Sequence, residues 1–182
     1  MGESTQRTSG GHQARRALLQ FGLSGLVALI IIGAIAFVAL RRESTHESIR
    51  EARTITEFIA RSIAEPLLQE RPEVLTGDPE ALAWFDERIR TRVIGDGRTI
   101  VRVKIWDQTG RIVYSDAAPL IGKRFVFGND ERAALQHDET EAEVSDLAGP
   151  ENAFERSEGK LLEVYLRIES PAGDPLLFET YR

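Results

Sequence analysis

The chain has 182 residues, of which 29 are acidic, 23 are basic and none is cysteine. This length allows one modest domain and an appendage, which excludes a large multidomain catalyst. The lack of cysteine excludes disulfides, thiolate metal ligands and cysteine nucleophiles.

The chain begins with a polar tail followed by an uncharged stretch. Residues 1–16 are rich in Gly, Ser, Thr and Gln, which predicts a disordered tail. Residues 17–40 carry no charge and would form a helix about 36 Å long, enough to cross a hydrocarbon core of about 30 Å. We therefore predict a transmembrane helix at 17–40. A cleaved signal peptide is disfavoured because Arg41 and Arg42 stand where a small-residue cleavage site would be needed.

The remainder, residues 43–182, is strongly acidic. It contains 18 basic and 28 acidic residues, so its formal net charge is −10. Such a surface repels nucleic acid and anionic lipid, and we expect no nucleic acid partner. At 140 residues this part is long enough to bury a core of its own, which predicts a folded domain.

Two helices are predicted at the start of this part. Apolar residues recur at spacings of three and four at Ile49, Ala52, Ile55, Ile59 and Ile63. This stripe predicts a long membrane-proximal helix at 43–69, which Pro66 ends or bends. The stripe can form the seam of a homodimer or pack on its own sheet. Asp78 followed by Pro79 predicts the start of a second helix.

Beyond residue 98 the apolar period changes from helical spacing to two, which predicts strands. The predicted strands are 99–106, 111–115, 140–147, 161–168 and 175–182, and a short helix is predicted at 130–136. Asp107 to Gly110 have the composition of a hairpin turn. Strands in runs, with helices ahead of them, predict an α+β domain on a five-stranded antiparallel sheet.

The sequence shows no catalytic motif. His12, His46 and His137 are scattered, so no metal site or catalytic triad is predicted. The glycine turns lack the lysine and hydroxyl residue of a phosphate-binding loop. We therefore predict no catalytic residue, no metal and no cofactor.

One predicted surface combines cations with aromatic rings. Arg102, Lys104 and Trp106 share a face of the first strand, and Tyr165 and Arg167 share a face of the fourth. Such a surface is suited to holding an organic anion. The alternative is a solvated sheet face, on which long side chains cover the aromatic rings.

Four segments carry a resemblance to a known family: VKIWDQTGRIVYSD (Val103–Asp116), LIGKRF (Leu120–Phe125), ENAFERSEGKLLEVYLRI (Glu151–Ile168) and FETY (Phe178–Tyr181). Together with the long helix, they resemble the extracytoplasmic sensor region of bacterial two-component sensor histidine kinases. The resemblance implies a PAS-like domain of the Cache type at 70–182. It also implies a cytoplasmic tail, a cell-membrane location and a sensor domain outside the cytoplasm.

The resemblance further implies a ligand pocket bordered by the loop that Tyr114, Lys123 and Arg124 flank. A small-molecule or protein ligand would shift the sheet and, through it, the long helix. The kinase core of the family is absent from this sequence, so we expect no enzymatic activity of this chain. The alternative function is a free-standing anchored protein for binding or assembly.

Overall fold

The computed structural model describes residues 10–95, 99–137 and 139–182. The chain divides into two compact units, Met1–Glu47 and Ser48–Arg182. Helix α1 (Gly10–Ile59) begins in the first unit and ends in the second. Residues 1–9 of the predicted tail lie outside the described residues, and residues 10–16 are helical.

The predicted transmembrane helix at 17–40 is wrong. Within the residues that the structure describes, no helix combines the length and the apolar content needed to cross a membrane.

The second unit begins with a series of short helical segments. A π turn (Ala60–Ala64) follows α1 and leads into α2 (Glu65–Glu70), where Pro66 occupies the first turn. A 3₁₀ turn (Pro72–Thr76) precedes α3 (Pro79–Ile89), which a second π turn (Arg90–Ile94) follows. The predicted start of α3 is confirmed, because Asp78 Oδ1 accepts a hydrogen bond of 2.9 Å from Ala81 N.

Five strands form one antiparallel sheet, as predicted. They are β1 (Arg102–Trp106), β2 (Ile112–Ser115), β3 (Glu141–Ser145), β4 (Leu161–Glu169) and β5 (Pro175–Tyr181). Their order is β2-β1-β5-β4-β3, so β5 lies at the centre of the sheet. Helix α4 (Asn129–His137) lies between β2 and β3 in the chain, close to the predicted range of 130–136.

The two faces of the sheet carry different side chains. On one face, which we call the helix face, Ile105, Leu166 and Phe178 pack against Leu68 and Phe85 of the helices. The predicted stripe contributes to this core, since Ala52 and Ile59 of α1 are buried, and Ile55 of α1 and Ile63 of the π turn are half-buried. The stripe therefore packs on its own domain, and the homodimer remains an untested prediction.

Candidate functional site

Three rows of side chains cross the second face of the sheet, which we call the polar face. Strands β1, β5 and β4 are neighbours, and their register aligns one residue of each strand in every row. The rows are Arg102, Tyr181 and Glu163; Lys104, Glu179 and Tyr165; and Trp106, Leu177 and Arg167. The five residues that the sequence places on one surface are therefore neighbours, but Glu163, Leu177, Glu179 and Tyr181 stand among them.

A strap of residues 147–159 covers part of the polar face. The strap begins at Leu147 and ends at Gly159, and both have a left-handed backbone, with φ of 58° and 86°. Asn152 and Glu155 are its two buried polar side chains, exposed by 2% and 1%. Both side chains are turned toward β1, where they meet Lys104 and Arg102.

Lys104 is the buried cation beneath the strap. Its ammonium group donates to Glu151 O and Asn152 Oδ1, both at 3.1 Å, and to the Tyr181 hydroxyl at 2.6 Å. It also lies 4.3 Å from the centre of the Tyr181 ring. An ammonium group has three protons, so the contacts of Lys104 within the chain engage all of them. Lys104 thus holds the strap in this structure and presents no free cation to an anionic ligand.

Glu179 is the buried carboxyl at the centre of the polar face. Its Oε2 accepts a 2.7 Å hydrogen bond from the Trp106 indole, and its Oε1 contacts the Tyr181 hydroxyl and lies 3.9 Å from Lys104 Nζ. Burial raises the pKa of Glu179 to about 7, against an opposing effect of Lys104. This carboxyl therefore changes its charge near neutral pH.

The Tyr181 hydroxyl connects Glu179 to the strap. It lies 2.6 Å from Asn152 Oδ1, in addition to its contacts with Lys104 and Glu179. Burial raises the pKa of Tyr181 well above its ordinary value, so the hydroxyl keeps its proton. Asn152 continues the network, because its Nδ2 donates to Glu163 Oε1 at 2.9 Å.

Arg102 forms a second attachment of the strap. Its guanidinium bonds Glu155 Oε1 at 2.5 Å and Asp116 Oδ2 at 2.6 Å. Asp116 Oδ1 accepts from Val103 N at 2.8 Å, and burial raises the pKa of Asp116. Glu155 Oε2 is buried without a hydrogen bond and lies 3.9 Å from Lys104 Nζ. The ionic contact between Glu155 and Arg102 thus holds the strap, and one of the two Glu155 oxygens takes no part in a hydrogen bond.

The remaining predicted site residues lie elsewhere. Tyr114 is on the helix face, where its hydroxyl donates to Asp86 at 3.0 Å and its ring lies 4.7 Å from that of Phe85. Lys123 and Arg124 are exposed on the loop after β2, and Arg124 donates to the Thr109 hydroxyl. The structure does not bring these three residues to the polar face.

Sequence reasoning missed several members of the network, namely Asn152, Glu155, Glu163, Glu179 and Tyr181. Side chains two positions apart on a strand point to the same face, which puts Glu163 with Tyr165 on β4, and Glu179 and Tyr181 with Leu177 on β5. The two-residue period of the sequence therefore already placed these three residues on the polar face. Asn152 and Glu155 lie in a segment without a period. Nothing in the sequence pattern alone indicates that they are buried.

β5 connects the polar face to α1. Thr180 lies between Glu179 and Tyr181 and points to the helix face, where its hydroxyl is 2.7 Å from the hydroxyl of Thr56 on α1. Both threonines are fully buried. Adjacent residues of this strand thus belong to the strap network and to the helix.

A cleft of about 570 Å³ lies at one end of the sheet. Leu75, Val113 and Leu176 form part of its apolar wall. The polar rim includes Arg111, whose guanidinium bonds Asp107 at 2.9 Å and Leu75 O at 3.2 Å. Its size suits a small ligand, but none of the predicted site residues lines it. The polar face remains the candidate site, and within the described residues no carboxylate or histidine cluster is arranged to hold a metal.

No protein-family model and no curated protein matches the chain. Among solved structures, the chain is similar to the crystal structure of the extracellular domain of rpHK1S-Z16, a candidate histidine kinase. The two are 19% identical with a TM-score of 0.40, and the match covers 80% of this chain and 59% of that chain. The chain therefore spans less than two thirds of the length of that structure. A likeness of this degree carries no argument about function.

Proposed function

We propose that the chain is a sensor domain, of the class that its motifs resemble in two-component histidine kinases. In this proposal the polar face and its strap receive the stimulus, and α1 carries the response. The observation that supports it best is the alternation of side-chain direction along β5. Glu179 and Tyr181 belong to the strap network, and Thr180 between them contacts Thr56 of α1.

The short distance between the two sides of the sheet favours this coupling. A change in the bonds of Glu179 or Tyr181 displaces the β5 backbone, and Thr180 is part of that backbone. Because Thr56 and Thr180 are bonded and fully buried, α1 follows the displacement or loses the bond. Packed interfaces switch between discrete arrangements, so a small shift of a strand is sufficient.

The helices contact the central strands at two further points. Glu65 of α2 accepts a hydrogen bond of 3.0 Å from the backbone N–H of Glu169 at the end of β4. Arg182, directly after β5, lies 3.4 Å from Glu51 of α1. Both ends of the β4–β5 pair therefore contact the helices that would carry the response.

The coupling can be tested without knowledge of the stimulus. Asn152→Ala removes one attachment of the strap, and Ser157→Ala is a matched control because Ser157 is exposed on the same strap. Hydrogen exchange measured by mass spectrometry would report the strap amides and the α1 amides of residues 48–59. We expect Asn152→Ala to speed exchange in both segments and Ser157→Ala to change neither.

A second pair of substitutions identifies the route. Combining Asn152→Ala with Thr56→Val and Thr180→Val should leave the strap exchange fast but remove its effect on residues 48–59. If Asn152→Ala loosened the strap while exchange in residues 48–59 stayed as in the wild type, the sensor proposal would be wrong.

The proposal includes a position of the domain outside the cytoplasm, as in the proteins that the motifs resemble. Protease added to spheroplasts, which keep only the cytoplasmic membrane, should then digest the domain. Digestion only after the cytoplasmic membrane is permeabilised would contradict this position.

A further inference from the structure

We propose that Tyr181 and Glu179 form a proton-operated latch, in which protonated Glu179 lets the Tyr181 hydroxyl hold the strap and ionised Glu179 withdraws that hydroxyl from it. The inference rests on the proposed function, since it names protons as the stimulus of the same site. It depends on three oxygen atoms and one ammonium group that meet beneath the strap.

The geometry limits how the Tyr181 hydroxyl can bond. A phenol has one proton to donate and two lone pairs to accept with. Lys104 Nζ, at 2.6 Å, is a donor only and occupies one lone pair. Asn152 Oδ1, also at 2.6 Å, is an acceptor only, so it requires the proton of Tyr181. Glu179 Oε1 is the third neighbour, and it donates or accepts according to its charge.

The charge of Glu179 therefore decides where the proton of Tyr181 goes. When Glu179 is protonated, its Oε1–H donates to the free lone pair of Tyr181, and the hydroxyl donates to Asn152. When Glu179 loses its proton to solvent, both of its oxygens only accept, and the hydroxyl turns to the carboxylate because a charge-assisted bond is stronger. Asn152 Oδ1 then accepts only the 3.1 Å hydrogen bond from Lys104 Nζ. In both states the Trp106 indole donates to Oε2.

The surroundings of the latch favour protonation. The charged and titratable groups that face Glu179 are Lys104 on β1, Glu163 and Tyr165 on β4, and Tyr181 on β5. Beyond them, Glu131 on α4 acts on Tyr165, and Glu155 on the strap lies 3.9 Å from Lys104. With Arg102 and Asp116 included, four buried carboxyls meet two cations. Burial, followed by the repulsion of Glu163, raises the pKa of Glu179 to about 7 despite Lys104. Loss of the proton at higher pH leaves excess negative charge beneath the strap.

The first test uses the wild-type chain. We expect the strap amides of residues 147–159, after correction for intrinsic rates, to exchange about tenfold more slowly at pH 6 than at pH 8. This factor follows from a carboxyl that titrates near 7 in the closed strap and near its ordinary value of 4.5 in the open one. Equal protection at the two pH values would overturn the latch.

Two variants assign the effect to these atoms. Glu179→Gln supplies a permanent N–H donor to Tyr181, so the strap should stay protected at both pH values and the ratio should fall to about one. Glu158→Gln makes the same chemical change at an exposed site of the strap and should keep the tenfold ratio. Tyr181→Phe removes the switching proton, so exchange should be fast at both pH values. A tenfold ratio retained in Glu179→Gln would exclude Glu179 as the titrating group.

A spectroscopic measurement makes the test independent of the Glu179 variant. The chain has two tryptophans, and Trp84→Phe leaves Trp106, whose indole is bonded to Glu179. Its emission should titrate with a midpoint near pH 7, and constant emission between pH 5.5 and 8.5 would overturn the proposal. If amide exchange of the strap does not depend on pH while Asn152→Ala still speeds exchange in residues 48–59, the latch is wrong and the sensor proposal is unaffected.

Discussion

Lys104 is the residue on which the strap network depends. Lysine is rarely buried unless it is paired, and here the ammonium group has no exposed surface and lies 3.9 Å from both Glu155 and Glu179. The sequence predicts that Lys104 shares a face of the sheet with other cations and aromatic rings. The register of β1, β5 and β4 places these side chains on one face. The sequence could not show that the strap covers this face, because the acceptors come from residues 47 and more positions away.

Removal of this cation should be costly. Lys104→Ala leaves Glu179 buried without its nearest positive charge and removes the cation that lies 3.9 Å from the unbonded Glu155 Oε2. We expect a loss of about 3–5 kcal/mol in the free energy of unfolding. Lys160→Ala, at an exposed position just after the strap, should change it by less than about 0.5 kcal/mol. Urea unfolding followed by circular dichroism measures both. A loss below about 1 kcal/mol for Lys104→Ala would contradict the role assigned to this side chain.

Glu179 should make the domain more stable in mild acid. Its pKa is raised in the folded chain from 4.5 to about 7, so the folded state binds the proton more tightly than the unfolded state. The resulting stability is complete below about pH 4.5 and is lost as the pH rises through 7. We expect the free energy of unfolding to fall by about 2 kcal/mol between pH 5.5 and pH 8.

The corresponding measurement is urea unfolding across this pH range in the wild type and in Glu179→Gln. The variant should show a much flatter profile, because its amide does not titrate. The titration of Asp107 does not interfere with this measurement. Its pKa is lowered, so its contribution to the free energy of unfolding changes only in more acidic solution. A wild-type stability that rises with pH over this range would contradict the assignment.

Most individual elements could be predicted, because each one has its own hydrophobic period. The predicted strand at 111–115 and helix at 130–136 differ from β2 and α4 by only one or two residues at their ends. The π turns and the strap were not predicted, since neither has a period or a cap that distinguishes it. The strand order was also inaccessible, because β1 and β5 are paired across about 70 residues of chain.

The turn between β1 and β2 depends on a glycine. Gly110 has φ of 77°, and a Cβ placed there would collide with the backbone oxygen of Phe125. Gly110 O also accepts a hydrogen bond of 2.9 Å from Phe125 N. Moving the two segments apart to make room for a Cβ would therefore break this bond. We expect Gly110→Ala to destabilise the domain by about 2 kcal/mol or more.

Gly173, in the turn between β4 and β5, is the matched control. Its φ of 85° is similar, but nothing lies within 4 Å of a Cβ added there. Gly173→Ala should therefore show only the backbone cost of about 1 kcal/mol. Thermal unfolding of both variants would separate the two effects, and equal losses would contradict the role of the Phe125 contact.

At the scale of the whole molecule, the second unit contains every buried cluster formed by the residues that the structure describes. Every residue of the three buried clusters lies between Ser48 and Arg182. We therefore expect a chain limited to residues 48–182 to unfold cooperatively, with a near-ultraviolet circular dichroism spectrum like that of the full chain. A non-cooperative transition would show that this unit depends on residues 1–47.

The fold class of this unit was predictable from the sequence, and its candidate site was predictable only in part. The site joins residues between Arg102 and Tyr181, so its members meet only after the whole sheet has formed. Local patterns gave the strand faces correctly. They gave no information about which loop closes over the polar face.

The central position of β5 also affects how the protein is made. During translation β1 and β2 emerge from the ribosome about 60 residues before Pro175, and they lack their neighbour on the open side until then. An unpaired strand edge invites association with other nascent chains. The sheet can therefore be completed only after Tyr181 has left the exit tunnel, and a ribosome that stalls before this point would expose two unfinished edges.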